Sequence, residues 1–450
     1  MAVLTRSGCL LQGTPELKKQ LRVRAIVNDD YGFPPPPFNC YRTGTQGRIC
    51  VPQFFPTGEA VTEDKRPEPA RADIRFHGKL KSSTGQVDAY RAACEKRHGL
   101  LSLPCGFGKT VLALAISAHF KLRTMIIVHK EFLAQQWRER IEQFCPGAKV
   151  GIVQQNKKEV EGCDYVIAML QSLSMKEYVF SDFESVGVLI VDECHHICAR
   201  TFSQALFKVV PRHVFGLSAT PERKDGLTKL LTWFIGPTAF SVERKAQRGV
   251  EVFPITFNDA LFRTAPPVTR NGQLSLVGMI TALCECRARN QMLCRLIKRA
   301  SAGTRKLLVL SDRRLHCEML HQAFKPIGGL YMGGMKQKDL QASSECKIIF
   351  ATYSQAHEGL DIPTLDTVIL ATPKSDIVQS IGRIMRGKAE NNPHIYDVRD
   401  EWGGVFPAMY YKRLKVYKLG GYTIIPDGKQ TDPTVADDAA EFRKKCHIKI

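Results

Sequence analysis

Ser102-Leu103-Pro104-Cys105-Gly106-Phe107-Gly108-Lys109-Thr110 is the stretch on which the fold turns. It continues an apolar run, Leu100–Leu103, with the character of a strand, and it opens into Val111, Leu112 and Ala115 at helical spacing. A turn between a buried strand and a helix N-terminus presents unpaired N–H groups and an aligned dipole to an anion. Gly106 and Gly108 let that backbone approach phosphate oxygens closely, and Pro104, Cys105 and Phe107 complete the turn. Lys109 is long enough to reach β and γ phosphates, and the Thr110 hydroxyl suits Mg²⁺. One departure stands out: Leu103 occupies the first glycine position of the general Gly-x4-Gly-Lys-Thr pattern.

A second apolar run, Val186–Val191, ends in Asp192-Glu193-Cys194-His195. Acids at the carboxyl end of a parallel strand lie where an open α/β sheet binds ligand. Asp192 is therefore the second candidate for Mg²⁺, through water, and Glu193 the candidate general base for an attacking water. The neighbouring Cys194, His195, His196 and Cys198 resemble zinc ligands at first sight. No distant second ligand pair accompanies them, so a metal centre is not expected there.

Outward from these two sites the chain has a βα rhythm. Runs at Met125–Val128, Val150–Val153, Tyr165–Met169 and Val214–Leu217 read as further strands, and Leu133, Trp137, Ile141 and Phe144 form one helical stripe. The rhythm restarts after a helical stretch at Val277–Ala300, with runs at Lys306–Leu310, Gly329–Tyr331, Lys347–Ala351, Thr367–Ala371 and Ile395–Val398. Alternating strands and helices predict parallel βαβ units. The expected class is α/β: two lobes with parallel sheets flanked by helices, plus a small β-rich amino-terminal domain. The expected boundaries are 1–72, 73–243, 244–425 and a polar tail at 426–450. Within the first segment Leu21–Val27 alternates like a strand, and Glu63–Pro69 reads as a linker.

Lys and Arg number 64 against 44 Asp and Glu, a net charge of +20 that suits a polyanionic partner. The fifteen cysteines are odd in number and irregular in spacing, which favours thiols in a reducing, intracellular compartment over a disulfide scaffold. Met1–Gly13 lacks the apolar core and cleavage site of a secretory signal, and no membrane partner is expected.

The ordered set of motifs resembles the superfamily 2 helicases of the Asp-Glu-x-His type, with two RecA-like lobes. Within them it resembles the branch typified by XPB and UvsW, and most of all the iridovirus-type helicases of large cytoplasmic DNA viruses. The resemblance rests on several segments. In the first half they are Ile126–Lys130 with Gln136-Trp137, Ile167–Leu173 and Gly216–Gly226; in the second they are Val309–Arg313, Phe350–Thr352 with Glu358–Pro363, and Gln379–Arg386.

The resemblance implies ATP and Mg²⁺ as cofactors and nucleic acid as partner, DNA in preference to RNA. It implies that His195, Ser218, Ala219 and Thr220 link hydrolysis to lobe movement. His129, Lys130, Gln171, Ser172, Ser311, Arg313 and Thr352 would contact nucleic acid. Gly359 and Asp361 would contact ATP, Gln379 would sense its γ-phosphate, and Arg383 and Arg386 would stabilise charge on the transferred phosphoryl group. Gln86, 23 positions before Lys109, stands where an adenine-reading glutamine is expected. A host nucleus or cytoplasm would be the setting if the source is viral. The alternatives are a duplex translocase that does not separate strands and, with less support, a nucleic-acid-binding scaffold with a dead ATP site.

Overall fold

The computed structural model describes residues 2–26, 35–104, 106–223, 225–242, 249–358, 360, 362–382, 384 and 391–426. The chain divides into two compact units, Met1–Glu243 and Arg244–Ile450. Among the described residues no helix is long and apolar enough to cross a membrane.

In the first unit eight strands form a sheet. Their spatial order is Lys157–Lys158, Val150–Gln154, Tyr165–Met169, Thr124–Val128, Val188–Val191, His213–Ser218, Gly99–Ser102 and Thr238–Ser241. All neighbours pair in parallel except the hairpin of the first two. Central strands such as Thr124–Val128 and Val188–Val191 are buried along their whole length, as parallel strands covered on both faces must be.

Alternation divides their side chains between two cores. Leu101, Ile126, Ile167, Ile190 and Phe215 pack with the helices Gln86–Lys96, Lys109–Phe120 and Glu131–Phe144. In the last of these, Leu133, Trp137 and Ile141 are buried, each burial stabilising by about 1.5–3 kcal/mol.

Leu100, Met125, Ile127, Leu189 and Val214 enter the other core, which also holds Ala2, Cys9, Leu11, Ile49 and Val51. Those five belong to the amino-terminal five-stranded sheet, ordered Arg42–Thr43, Arg48–Val51, Gly8–Gln12, Ala2–Thr5 and Val61–Asp64. Two expectations change here. The strand expected at Leu21–Val27 is reduced to Arg22–Val23, paired with Phe38–Asn39, and Val27 lies outside the described residues. The expected linker begins inside an edge strand, Val61–Asp64, parallel to Ala2–Thr5. All four of its residues are exposed, so no alternation betrayed it.

The second unit carries seven parallel strands ordered Gly328–Tyr331, Ile348–Thr352, Leu307–Ser311, Thr367–Leu370, His394–Asp400, Glu251–Phe257 and Thr423–Ile424. Glu251–Phe257, which carries Pro254, is a strand in addition to the runs read from the sequence. It pairs with His394–Asp400 throughout but with Thr423–Ile424 only at Glu251 and Val252. Beyond Val252 one side is therefore open, and proline is tolerated at such an edge. The stretch Val277–Ala300 forms two helices, Leu276–Glu285 and Arg287–Ala300, broken where Cys286 is extended. Of the expected polar tail, residues 427–450 lie outside the described residues.

Candidate active site

The strand Gly99–Ser102 leads through Pro104, Gly106, Phe107 and Gly108 into the helix Lys109–Phe120; Cys105 lies outside the described residues. Gly106 and Gly108 have φ of 79° and 86°, the left-handed region that glycine enters without a Cβ penalty. A Cβ at Gly108 would lie 2.6 Å from Gln86 Nε2, whereas one at Gly106 would meet nothing within 4 Å. Gly108 is thus required by packing, and Gly106 leaves the backbone open to an incoming oxyanion.

Gln86 begins the helix Gln86–Lys96 and is buried. Its Nε2 donates to Phe107 O at 2.5 Å, and its Oε1 accepts from Lys81 N at 2.8 Å. The glutamine expected to read adenine ties the phosphate loop to the preceding segment.

Asp192 and Glu193 follow the buried strand Val188–Val191. Trp137 Nε1 donates to Asp192 Oδ2 at 2.9 Å, and Glu193 N donates to Asp192 Oδ1 at 3.0 Å. Burial first, and the negative charge of Glu193 second, push the Asp192 carboxyl above its ordinary value. Glu193 has φ 44° and ψ 53°, a left-handed conformation that costs a non-glycine residue about 1–2 kcal/mol. The turn brings Glu193 Oε1 to 3.7 Å from Lys109 Nζ and Oε2 to 3.5 Å from His195 Nδ1. Oε2 is buried and, among the described residues, accepts no hydrogen bond. His195 Nδ1 also lies 3.2 Å from the hydroxyl of the buried Ser218, which accepts from Thr220 N at 3.1 Å. Ala219 and Thr220 follow, half-buried. Lys109, Glu193, His195 and Ser218 therefore stand together.

Two further expected groups lie at the ends of adjacent parallel strands. His129 and Lys130 follow Thr124–Val128, and Gln171 and Ser172 follow Tyr165–Met169. Gln171 is exposed and donates from Nε2 to His129 O at 2.6 Å. Ser172 is buried, its hydroxyl accepting from Gln155 N at 2.9 Å. Lys130 is half-buried.

In the second unit Ser311 is buried, with its hydroxyl 2.9 Å from His316 Nδ1 and accepting from Arg313 N at 3.1 Å. This serine lies inside, with no face for a ligand. Arg313 donates to Thr281 Oγ1, Asp312 Oδ2 and Val277 O. Thr352 is half-buried, its hydroxyl 3.2 Å from Ser354 Oγ. Gln379 lies on the short helix Val378–Ile381. Gly359, Asp361, Arg383 and Arg386 lie outside the described residues.

Residues 79–223 match the family described as type III restriction enzyme, res subunit. Over 368 residues the chain is 34% identical to a candidate ATP-dependent RNA helicase of Acanthamoeba polyphaga mimivirus, across 78% of this chain and 70% of that one. The chain belongs to the superfamily 2 helicases of large DNA viruses. A candidate helicase of Invertebrate iridescent virus 6 is 29% identical over 77% of this chain and 82% of its own. A candidate ATP-dependent RNA helicase of African swine fever virus is 26% identical over 72% and 69%. This viral helicase is an enzyme of the ATPase/helicase class that uses ATP and binds nucleic acid.

The hydrogen bonds that two residues make in the helicase site escaped sequence reasoning. Trp137 looked like one apolar residue of a stripe, yet its indole N–H holds Asp192, 55 positions away. Gln86 was noticed for its distance from Lys109, but its grip on Phe107 depends on the fold. Neither hydrogen bond has a local signal. The donor set suits Mg²⁺: Thr110 and Asp192 offer hard oxygens, and each Asp192 oxygen keeps a lone pair beyond its one hydrogen bond. A divalent cation would also relieve the burial of that carboxylate beside Glu193.

Proposed function

We propose that this helicase hydrolyses ATP at the Lys109–Glu193 centre and converts hydrolysis into movement along nucleic acid and separation of its strands. The observation that carries the reading is the loose 3.7 Å pairing of Lys109 with Glu193, beside an open glycine cradle. ATP phosphates on the backbone of Gly106–Thr110 attract Lys109 and draw it from Glu193. The carboxylate is then available to take a proton from the attacking water, as a general base must. Mg²⁺ held by Thr110 and Asp192 would neutralise phosphate charge. Trp137 orients Asp192, and Gln86 keeps the loop in register. Gly359 and Asp361 add to the ATP contacts, Gln379 senses the γ-phosphate, and Arg383 and Arg386 supply positive charge to the transferred phosphoryl group. These five assignments are supported by the sequence resemblance.

We assign the strand contacts of the first unit to the edge carrying His129, Lys130, Gln171 and Ser172, and those of the second to Arg313 and Thr352. Ser311 acts there by shaping the loop that carries Arg313. Contacts to backbone phosphates make binding tolerant of sequence and steeply salt-dependent. A cavity of about 800 Å³ is lined by Lys18, Lys19, Arg22 and Arg200 and, among the described residues, by no carboxylate, a lining suited to phosphates. DNA is the proposed strand, on the resemblance to the XPB-like branch, in viral transcription, replication or repair within a reducing compartment of the host cell. RNA is the second reading, favoured by the names of the mimivirus and African swine fever virus relatives.

ATPase rates with single-stranded DNA, blunt duplex, forked DNA and RNA, run beside strand-displacement assays, test the reading. Stimulation with displacement of forked DNA is expected, and Lys109→Ala should abolish both in folded protein. Stimulation by blunt duplex without displacement would instead indicate a duplex translocase. No stimulation by any of the four would sink the proposal.

A further inference from the structure

Three histidines form a row beside the Glu193 carboxylate. His129 and His196 have ring centroids 4.0 Å apart with planes inclined by 32°; His196 and His195 are 4.3 Å apart at 35°. At one end, His195 Nδ1 lies 3.5 Å from Glu193 Oε2 and 3.2 Å from Ser218 Oγ. At the other, the His129 carbonyl accepts from the side chain of exposed Gln171 at 2.6 Å. His196 is the middle member, and its own backbone N–H donates to Glu193 O at 3.1 Å. The row therefore spans from the edge assigned to nucleic acid to the carboxylate assigned to proton transfer, with no gap between rings.

We infer that His196 is a positioning residue that couples occupancy of the His129–Gln171 edge to the placement of Glu193. The inference rests on the functional reading above. Its physical basis is contact between rigid, flat groups. Close-packed interiors transmit displacement because their side chains have little free volume to absorb it. A strand bound at Gln171 shifts the carbonyl it holds, and with it the His129 ring. The shift passes through His196 to His195, which flanks Glu193 Oε2. Among the described residues that oxygen accepts no hydrogen bond, so no hydrogen bond holds it against a small reorientation. Coupling of this kind requires two sites and one element biased by both, and His196 touches both halves.

The test compares His196→Ala, His196→Phe and His196→Leu with the parent chain. Each is measured for melting temperature, ATPase without nucleic acid, ATPase with saturating nucleic acid, and nucleic-acid affinity. His196→Ala should keep the basal rate and the affinity within about twofold, while the stimulated kcat falls about tenfold, within the usual range of coupling between sites. The KM for ATP should not move. His196→Phe, which restores a flat ring, should recover most of the stimulation, and His196→Leu, which fills space without a ring, should not. Should the alanine variant fail to fold, the Phe and Leu pair carries the same comparison. Normal stimulation of His196→Ala, or equal behaviour of Phe and Leu, overturns the role of His196 and leaves the motor reading standing. Loss of basal and stimulated rates together would place His196 in the chemistry itself and also overturn coupling. A parent chain that no nucleic acid stimulates overturns the functional reading instead.

Discussion

The carboxyl edges of the two large parallel sheets carry similar polar residues and treat them in opposite ways. On the first, Lys109, Glu193 and His195 approach one another at 3.5–3.7 Å, near enough to attract and too far to close good hydrogen bonds. On the second, Ser311, His316 and Asn290 form a closed chain at 2.9 and 3.0 Å, all buried. That second trio has the residue types of a nucleophilic triad, but with no exposed face it serves as a brace. Nearby, Arg289 donates twice to Asp400 at 2.7 Å, and Arg413 and Tyr417 both bond Asp397. Satisfied polar groups hold a loop. Groups that pair as loosely as Lys109 and Glu193 are the ones with capacity for a ligand.

The contrast can be broken most forcefully at Glu193. Glu193→Gln should lower nucleic-acid-stimulated kcat by about 10²–10⁴-fold, the usual worth of a general base, with an unchanged melting temperature. Full turnover by folded variant protein would remove the base assignment. Arg289→Ala should behave in the reverse way. It strands a buried carboxylate and should cost about 3–5 kcal/mol of stability by denaturant titration, recovered largely in Arg289→Met/Asp400→Leu. A single variant as stable as the parent would show that the pair is not closed as described.

Trp137→Phe sharpens the comparison on the first edge. Losing the hydrogen bond that orients Asp192 should raise the Mg²⁺ concentration for half-maximal ATPase about tenfold. An unchanged Mg²⁺ requirement would separate Trp137 from the metal. The most gradual effect is a pH slope. Burial first, and the Arg289 charge second, lower the His316 pKa to about 3, so the folded chain keeps this ring neutral. The unfolded chain takes up that proton below about pH 6.5, so the neutral ring carries no penalty above that pH. As pH falls from there towards about 3, stability declines by about 1.4 kcal/mol per unit. His316→Gln should show a shallower acid decline than the parent, and identical slopes would mean that His316 is charged without cost.

Much of this is legible in the sequence alone. The strand–turn–helix around Gly106–Thr110, the acids after Val188–Val191 and the buried stripe of Glu131–Phe144 are local or periodic features, and periodicity survives in one dimension. The expectations that failed share a cause. Val61–Asp64 is an edge strand with no buried face, and Arg22–Val23 is shorter than its alternation suggested. In each, a partner strand rather than the segment's own pattern decides the state.

By itself, the sequence determined the α/β class, the phosphate loop and the identity of the acids, because each depends on residues adjacent in the chain. Tertiary structure alone decided that Trp137 would hold Asp192, that Gln86 would brace Phe107, and that Ser311 would be enclosed. It also aligned His129, His196 and His195 into one row. The reason is physical: a hydrogen bond or a ring contact is set by separations of 3–4 Å in space, and only the packed sheets bring such distant positions that close.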